Sequence, residues 1–248
     1  MEERGAEVTW TGNEIRDGTV YANATVCYNG KTYTISGTLV DGRMVMDDVD
    51  INSIFGWDTT IYYFYGKDQT IHSKNNIADL RKHGYAVIGT YVKNGSDFKQ
   101  AYNAMPATID VVIINLHGDP KNISDINISD LDMSKNIDTM VLLSCNAGHL
   151  WTGEDSIALQ IANASGGNIR QLIAADGTHL RSSTWNSKTG ITVKGDNHWK
   201  DNVAEANIKC ASSFGFICYQ WNGTSYDLRC IGRSFTSVRK LLKKVGAL

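Results

Sequence analysis

The sequence predicts an α/β protein: a three-layer sandwich around a mostly parallel sheet, preceded by a small N-terminal β-meander. Two observations carry this. Between about residues 57 and 177, apolar strand-like runs alternate with short amphipathic segments, and the runs are too continuously apolar to have a solvated face. Before residue 56 the pattern is instead one-on, one-off, with turn dipeptides between the runs. The expected division is therefore a meander over residues 1–55 and a main domain over 56–248.

In the meander, "ATVCYNGKTYTISGTLVDGRMVMDDV" alternates β-branched or aromatic residues with polar ones. Asn29-Gly30 and Asp41-Gly42 supply the positive φ angles that tight hairpins need, so three strands are expected. So small a sheet buries little alone and is expected to pack on the main domain or on a partner. "TGNEIRDGT" reads as a glycine-bearing loop without a phosphate-binding pattern.

In the main domain, "TTIYYFYG" reads as a strand, "NNIADLRKHG" as a helix closed by Gly84, and "YAVIGTYV" as a strand. "SDFKQAYNAM" comes next as a helix capped by Ser96 or Asp97, then "IDVVIINL" and "TMVLLS" as strands. "TGEDSIALQIANASGG" is a helix starting near Thr152 or Asp155 and stopped by two glycines, and "RQLIAADG" is a fifth strand. Beyond Gly177, "GITVKG" suggests a strand and "FGFICYQWNGTSYDLRCIG" a hairpin around Asn222-Gly223. The chain closes on a helix with Val238, Leu241, Leu242 and Val245 along one face.

The chain has 248 residues, 42% of them hydrophobic and 20% charged, with a formal net charge of −2. That is enough to bury a substantial core, and it supplies no field for nucleic acid or anionic membrane. No apolar run reaches the roughly 18–20 residues of a membrane helix. The five cysteines lack CxxC spacing, and His149, His179 and His198 stand outside any HExxH pattern, so neither metal nor cofactor is expected. Setting Cys145 aside leaves four cysteines that could pair, which favours an oxidising, secreted or cell-surface compartment; buried free thiols and a cytoplasmic location are the alternative.

Chemistry concentrates where "VVIINLHGDP" ends on His117 and Gly118, and where "MVLLSCNAGHL" ends on Cys145. In parallel sheets, functional groups collect at the carboxyl ends of strands, and strands consecutive in sequence tend to be neighbours. A thiol needs an adjacent base to act as a nucleophile near neutral pH, and imidazole is the usual one. The N–H groups of Gly118 and Cys145 are candidate oxyanion donors.

An apolar strand ending in His-Gly followed by one ending in Cys, histidine first, resembles the caspase-hemoglobinase fold of clan CD cysteine peptidases. The resemblance spans Trp57 to Gly177, and "LLSCNAG" is closest to bacterial caspase-like members such as gingipains and clostripain. It implies a thiol endopeptidase acting on a protein or peptide substrate, with Cys145 as nucleophile, His117 as acid/base and Gly118 as oxyanion donor. It also implies a pocket for the residue before the scissile bond. The matching places hold Asp68 and Asp176, which would favour Arg or Lys there; Asp119 is a third acidic candidate. Asp58 could orient the histidine, and self-processing could fall near Lys121 or Lys135. A non-catalytic caspase-like interaction module, or an acyl transferase using the same dyad, are the rival readings.

Overall fold

A computed structural model describes residues 7–28, 31–40, 43–45, 59–149, 155–181, 188–194 and 215–248. The chain divides into two compact units, Met1–Asp58 and Thr59–Leu248, three residues beyond the boundary expected from the change in rhythm.

The first unit is an antiparallel meander of four strands, β1 (Glu7–Arg16), β2 (Thr19–Tyr28), β3 (Lys31–Val40) and β4 (Arg43–Val45), in that spatial order. Both expected turns, Asn29-Gly30 and Asp41-Gly42, lie outside the described residues, while the strands they would join are paired in register. The additional strand is β1. "TGNEIRDGT", read as a loop, pairs with β2 through a turn at Asp17-Gly18, both in positive φ. Its signal is obscured by Gly12, where a register shift after Trp10 breaks the alternation and the backbone takes φ +139°.

The second unit is built on a seven-stranded mixed sheet. Its parallel part comprises β5 (Thr60–Tyr65), β6 (Ala86–Tyr91), β7 (Thr108–Asn115), β8 (Asn136–Leu142) and β9 (Ile169–Asp176). The hairpin β12 (Gly215–Trp221) and β13 (Tyr226–Gly232) adds antiparallel to β9, turning at Asn222-Gly223 as expected. The spatial order is β13-β12-β9-β8-β7-β5-β6. Short strands β10 (Thr178–Arg181), β11 (Ile191–Lys194) and β14 (Ser234–Phe235) form a separate three-stranded sheet.

Four α-helices lie among the described residues of the unit: α1 (Thr70–Lys82), α2 (Gly95–Asn103), α3 (Ile157–Ser165) and α4 (Val238–Lys244). The starts of the last three are set by side chains that satisfy otherwise orphaned N–H groups. Asn94 accepts from the Asp97 N–H at 2.9 Å, Ser156 from Leu159 and Ser237 from Lys240. The caps thus fall two residues before the nearer one expected for α2, Ser96, and one after the nearer one expected for α3, Asp155. Alternation along β7 and β8 sends their side chains to two cores. Val112, Ile114, Met140 and Leu142 pack with Phe98 and Tyr102 of α2 and Ile157 and Ile161 of α3. Val111, Ile113, Val141 and Leu143 pack with Ile77 and Leu80 of α1 and Leu241 and Leu242 of α4. Burial on both faces is why these strands read as unbroken apolar runs.

The strand order reverses at β5, with β6 to one side and β7 to the other. Loops leaving the carboxyl ends of neighbouring strands diverge at such a point and open a crevice.

Candidate active site

His117 lies two residues past β7 and Cys145 three past β8. In the β7–β8 ladder every pair of partners is 28 positions apart, from Thr108 with Asn136 to Ile114 with Leu142, and the same 28 separate His117 from Cys145. The ladder runs on past its named end, with Leu143 N–H donating to the Ile114 carbonyl at 2.8 Å. Continued alternation carries positions 117 and 145 to the face covered by α1 and α4. Gly118 fixes the approach of the two loops. A Cβ there would lie 2.7 Å from Ser144 Cβ and 3.2 Å from the Cys145 carbonyl oxygen, so only glycine allows this contact.

His117 Nε2 is 2.9 Å from Asp68 Oδ2. A carboxylate only accepts, so Nε2 donates, which in the neutral ring leaves the lone pair on Nδ1. Asp68 sits in the single 3-10 turn Lys67–Gln69 that joins β5 to α1, across the point where the strand order reverses. Asp68, expected to bind a substrate cation, lines the cleft beside His117 and gives its Oδ2 to the histidine. Asp58, read as orienting the histidine, lies outside the described residues; among those described, Asp68 is the carboxylate bonded to His117.

The Cys145 thiol is half-buried and 3.7 Å from the His179 carbonyl, to which it donates. His117 and Cys145 make no hydrogen bond with each other among the described residues. Among the described residues, neither the Gly118 nor the Cys145 N–H enters the backbone hydrogen bonds of these loops. The Gly118 loop is instead braced by Ser124 N–H to the His117 carbonyl at 2.8 Å and Asp119 N–H to the Asn122 carbonyl at 2.9 Å. Asp119 Oδ1 accepts from the N–H groups of Lys121 and Asn122, so this third acid shapes its own turn.

The segment after Cys145 is held from below. Asn146 adopts φ +53° and donates its N–H to the Gly177 carbonyl at 2.8 Å, and Gly148 donates to the Ala175 carbonyl at 3.0 Å. His149 Nδ1 lies 3.1 Å from Asp176 Oδ1, with both side chains only 2% exposed. Asp176 thus faces inward as the partner of His149.

No family model, curated protein or solved structure matches this chain. The reading of the site rests on its own geometry.

A cleft of about 170 Å³ opens beside His117, bounded by the loops after β5, β6 and β7 and containing Asp68, Gln69, Asn94 and Asp125 in its walls. Asp176 is not part of it. Among the described residues no group of three or more His, Cys, Asp or Glu is placed to hold a metal, and His198 lies outside them. No helix among them is long and apolar enough to cross a membrane. Of the remaining cysteines, Cys27 and Cys218 are free and Cys230 is disulfide-bonded. Burial pushes the Cys218 thiol above the ordinary thiol range. Lys135 is 5% exposed and donates to the Met105 carbonyl at 2.6 Å, so of the two lysines read as self-processing sites only Lys121 is accessible.

Proposed function

We propose that this chain is a cysteine endopeptidase of the caspase-hemoglobinase type, with Cys145 as nucleophile and His117, oriented by Asp68, as acid and base. The observation that supports it most is the shared spacing of 28, which brings the histidine and cysteine positions side by side at adjacent strand ends.

In this reading His117 Nδ1 takes the thiol proton, and the Cys145 sulfur attacks the carbonyl carbon of the scissile bond. The Gly118 and Cys145 N–H groups stabilise the oxyanion. The carbon–nitrogen bond then breaks, the imidazolium returns its proton to the leaving amine, and a thioester remains on Cys145. Water, deprotonated by His117, attacks the thioester; the acid departs and the thiol is regenerated. The Asp68 carboxylate keeps Nε2 protonated and the ring in register throughout. With Asp68 bonded to His117 and Asp176 to His149, the preference for Arg or Lys before the cut is decided by a substrate panel.

The test combines labelling with turnover. Low concentrations of iodoacetamide or a peptide acyloxymethyl ketone are expected to modify Cys145 ahead of Cys27 and Cys218 in the folded protein, as read by peptide mass mapping. Cys145→Ala should abolish cleavage of a fluorogenic panel carrying Arg, Lys, Asp and Asn before the cut. Cleavage that survives Cys145→Ala would overturn the proposal. Selective labelling without turnover would favour the interaction module, and amide formation with an added amine in place of hydrolysis would favour the acyl transferase.

A further inference from the structure

Resting on the peptidase reading, we infer that the cleft beside His117 receives the substrate residues on the amine side of the scissile bond, and that the Gln69 carboxamide hydrogen-bonds their main chain. Along the carboxyl rim of the sheet the order is Cys145 after β8, His117 after β7, Asp68 after β5 and Val92–Gly95 after β6. During cleavage the acyl half of the substrate is joined to Cys145 and the amine half must sit against its proton donor, His117. Beyond His117 on that same line lies the cleft, with Leu116 and Val92 as apolar wall and Gln69 beside them.

Gln69 points to a ligand. The residue is only 2% exposed, and a polar side chain so deeply placed is ordinarily hydrogen-bonded. Among the described residues its carboxamide has no hydrogen-bond partner; its Oε1 rests against Gly66, 3.0 Å from where a Cβ would stand. Yet neither its nitrogen nor its oxygen is wholly enclosed, since the fully buried unpaired polar atoms belong to other residues. The group is therefore sunk in the wall with its polar end reachable from the cleft. A carboxamide offers donor and acceptor together, which matches the C=O and N–H of an extended peptide and no single charge. The charged groups of the cleft, Lys67 and Lys93 against Asp68 and Asp125, are of mixed sign, so main-chain recognition is the selective element.

The probe is whichever fluorogenic coumarin amide of the Arg, Lys, Asp and Asn panel is cleaved best. It is compared with an internally quenched peptide bearing the same residues up to the cut followed by Ala-Gly-Ala-Gly. Gln69→Met keeps the volume and removes both hydrogen-bonding groups. It should lower kcat/KM on the extended peptide by about tenfold, the worth of one or two hydrogen bonds. Activity on the coumarin amide, which has no main chain past the cut, should stay within about twofold and also reports that the variant is folded. Equal losses on both substrates, or no loss on the extended one, would overturn the assignment while leaving the peptidase intact. A wild-type protein that cleaves neither and whose Cys145 resists labelling would remove the peptidase reading and this inference together.

Discussion

Asp68 and Asp176 are the same residue type at the ends of strands in one sheet, and their surroundings give them opposite work. Asp68 and His117 are each 66% exposed, so their pairing adds little to stability, as exposed ion pairs generally do. Its value is directional: it decides which nitrogen of His117 carries the proton. Asp176 and His149 are buried, and removing one leaves the other without its bond in a medium that cannot solvate it. Asp68→Ala is thus expected to reduce kcat by up to about a hundredfold through misorientation of the imidazole, with an unchanged melting temperature. Asp176→Ala should instead destabilise the fold by about 1–3 kcal/mol in denaturant titration. Comparing kcat with unfolding midpoints for the pair of variants checks both; a stable, active Asp176→Ala protein would contradict the structural role. Sequence alone placed both aspartates at the rim and could not separate them, because the distance from Asp68 to a histidine 49 positions away is a property of the folded sheet.

At the scale of elements, α3 links the site to the antiparallel hairpin. Ser156 caps α3 through the Leu159 N–H, and its Oγ is also 3.4 Å from the Tyr219 hydroxyl on β12. The first N–H of that helix donates to the Pro120 carbonyl at 2.7 Å, in the loop just past His117 and Gly118. Burial pushes the pKa of the Tyr219 hydroxyl up to about 12. A group that folding keeps neutral contributes its full stabilisation below its unfolded value of about 10 and loses it as pH climbs through the folded value. Denaturation midpoints should therefore fall between about pH 10 and 12, and Tyr219→Phe should flatten that decline; an unchanged pH profile in the variant would contradict the linkage assigned to Tyr219. The helices themselves were legible from their spacing of apolar residues, as with Ile157, Ile161 and their neighbours. Their first residues were not, since Asn94 and Ser156 compete with equally good caps one or two positions away.

Across the whole molecule, the two units differ sharply in what they bury. Thr59–Leu248 holds two extensive cores, one on each face of the seven-stranded sheet. Among the described residues of the meander, the buried cluster comprises Ala24, Val26 and Ile35. A chain limited to Thr59–Leu248 is accordingly expected to unfold cooperatively and to retain selective labelling of Cys145. Loss of either on deleting Met1–Asp58, measured by circular dichroism and mass mapping, would make the meander part of the same folding unit.

The one-dimensional pattern determined most of the strands and helices, though not β1, β10 or β14, that the main sheet is covered on both faces, and that a histidine and a cysteine close two successive strands. Those are local matters, set by periodicities of two and 3.6 residues and by the few residues that tolerate a turn. Only the tertiary structure decided that the ladder offset equals the histidine–cysteine spacing, that Asp68 meets His117 while Asp176 turns inward, and that the Gln69 carboxamide is buried beside a cleft with no hydrogen-bond partner among the described residues. Each of these depends on hydrogen bonding and packing between segments far apart along the chain, and no periodicity in the sequence encodes which of them will touch.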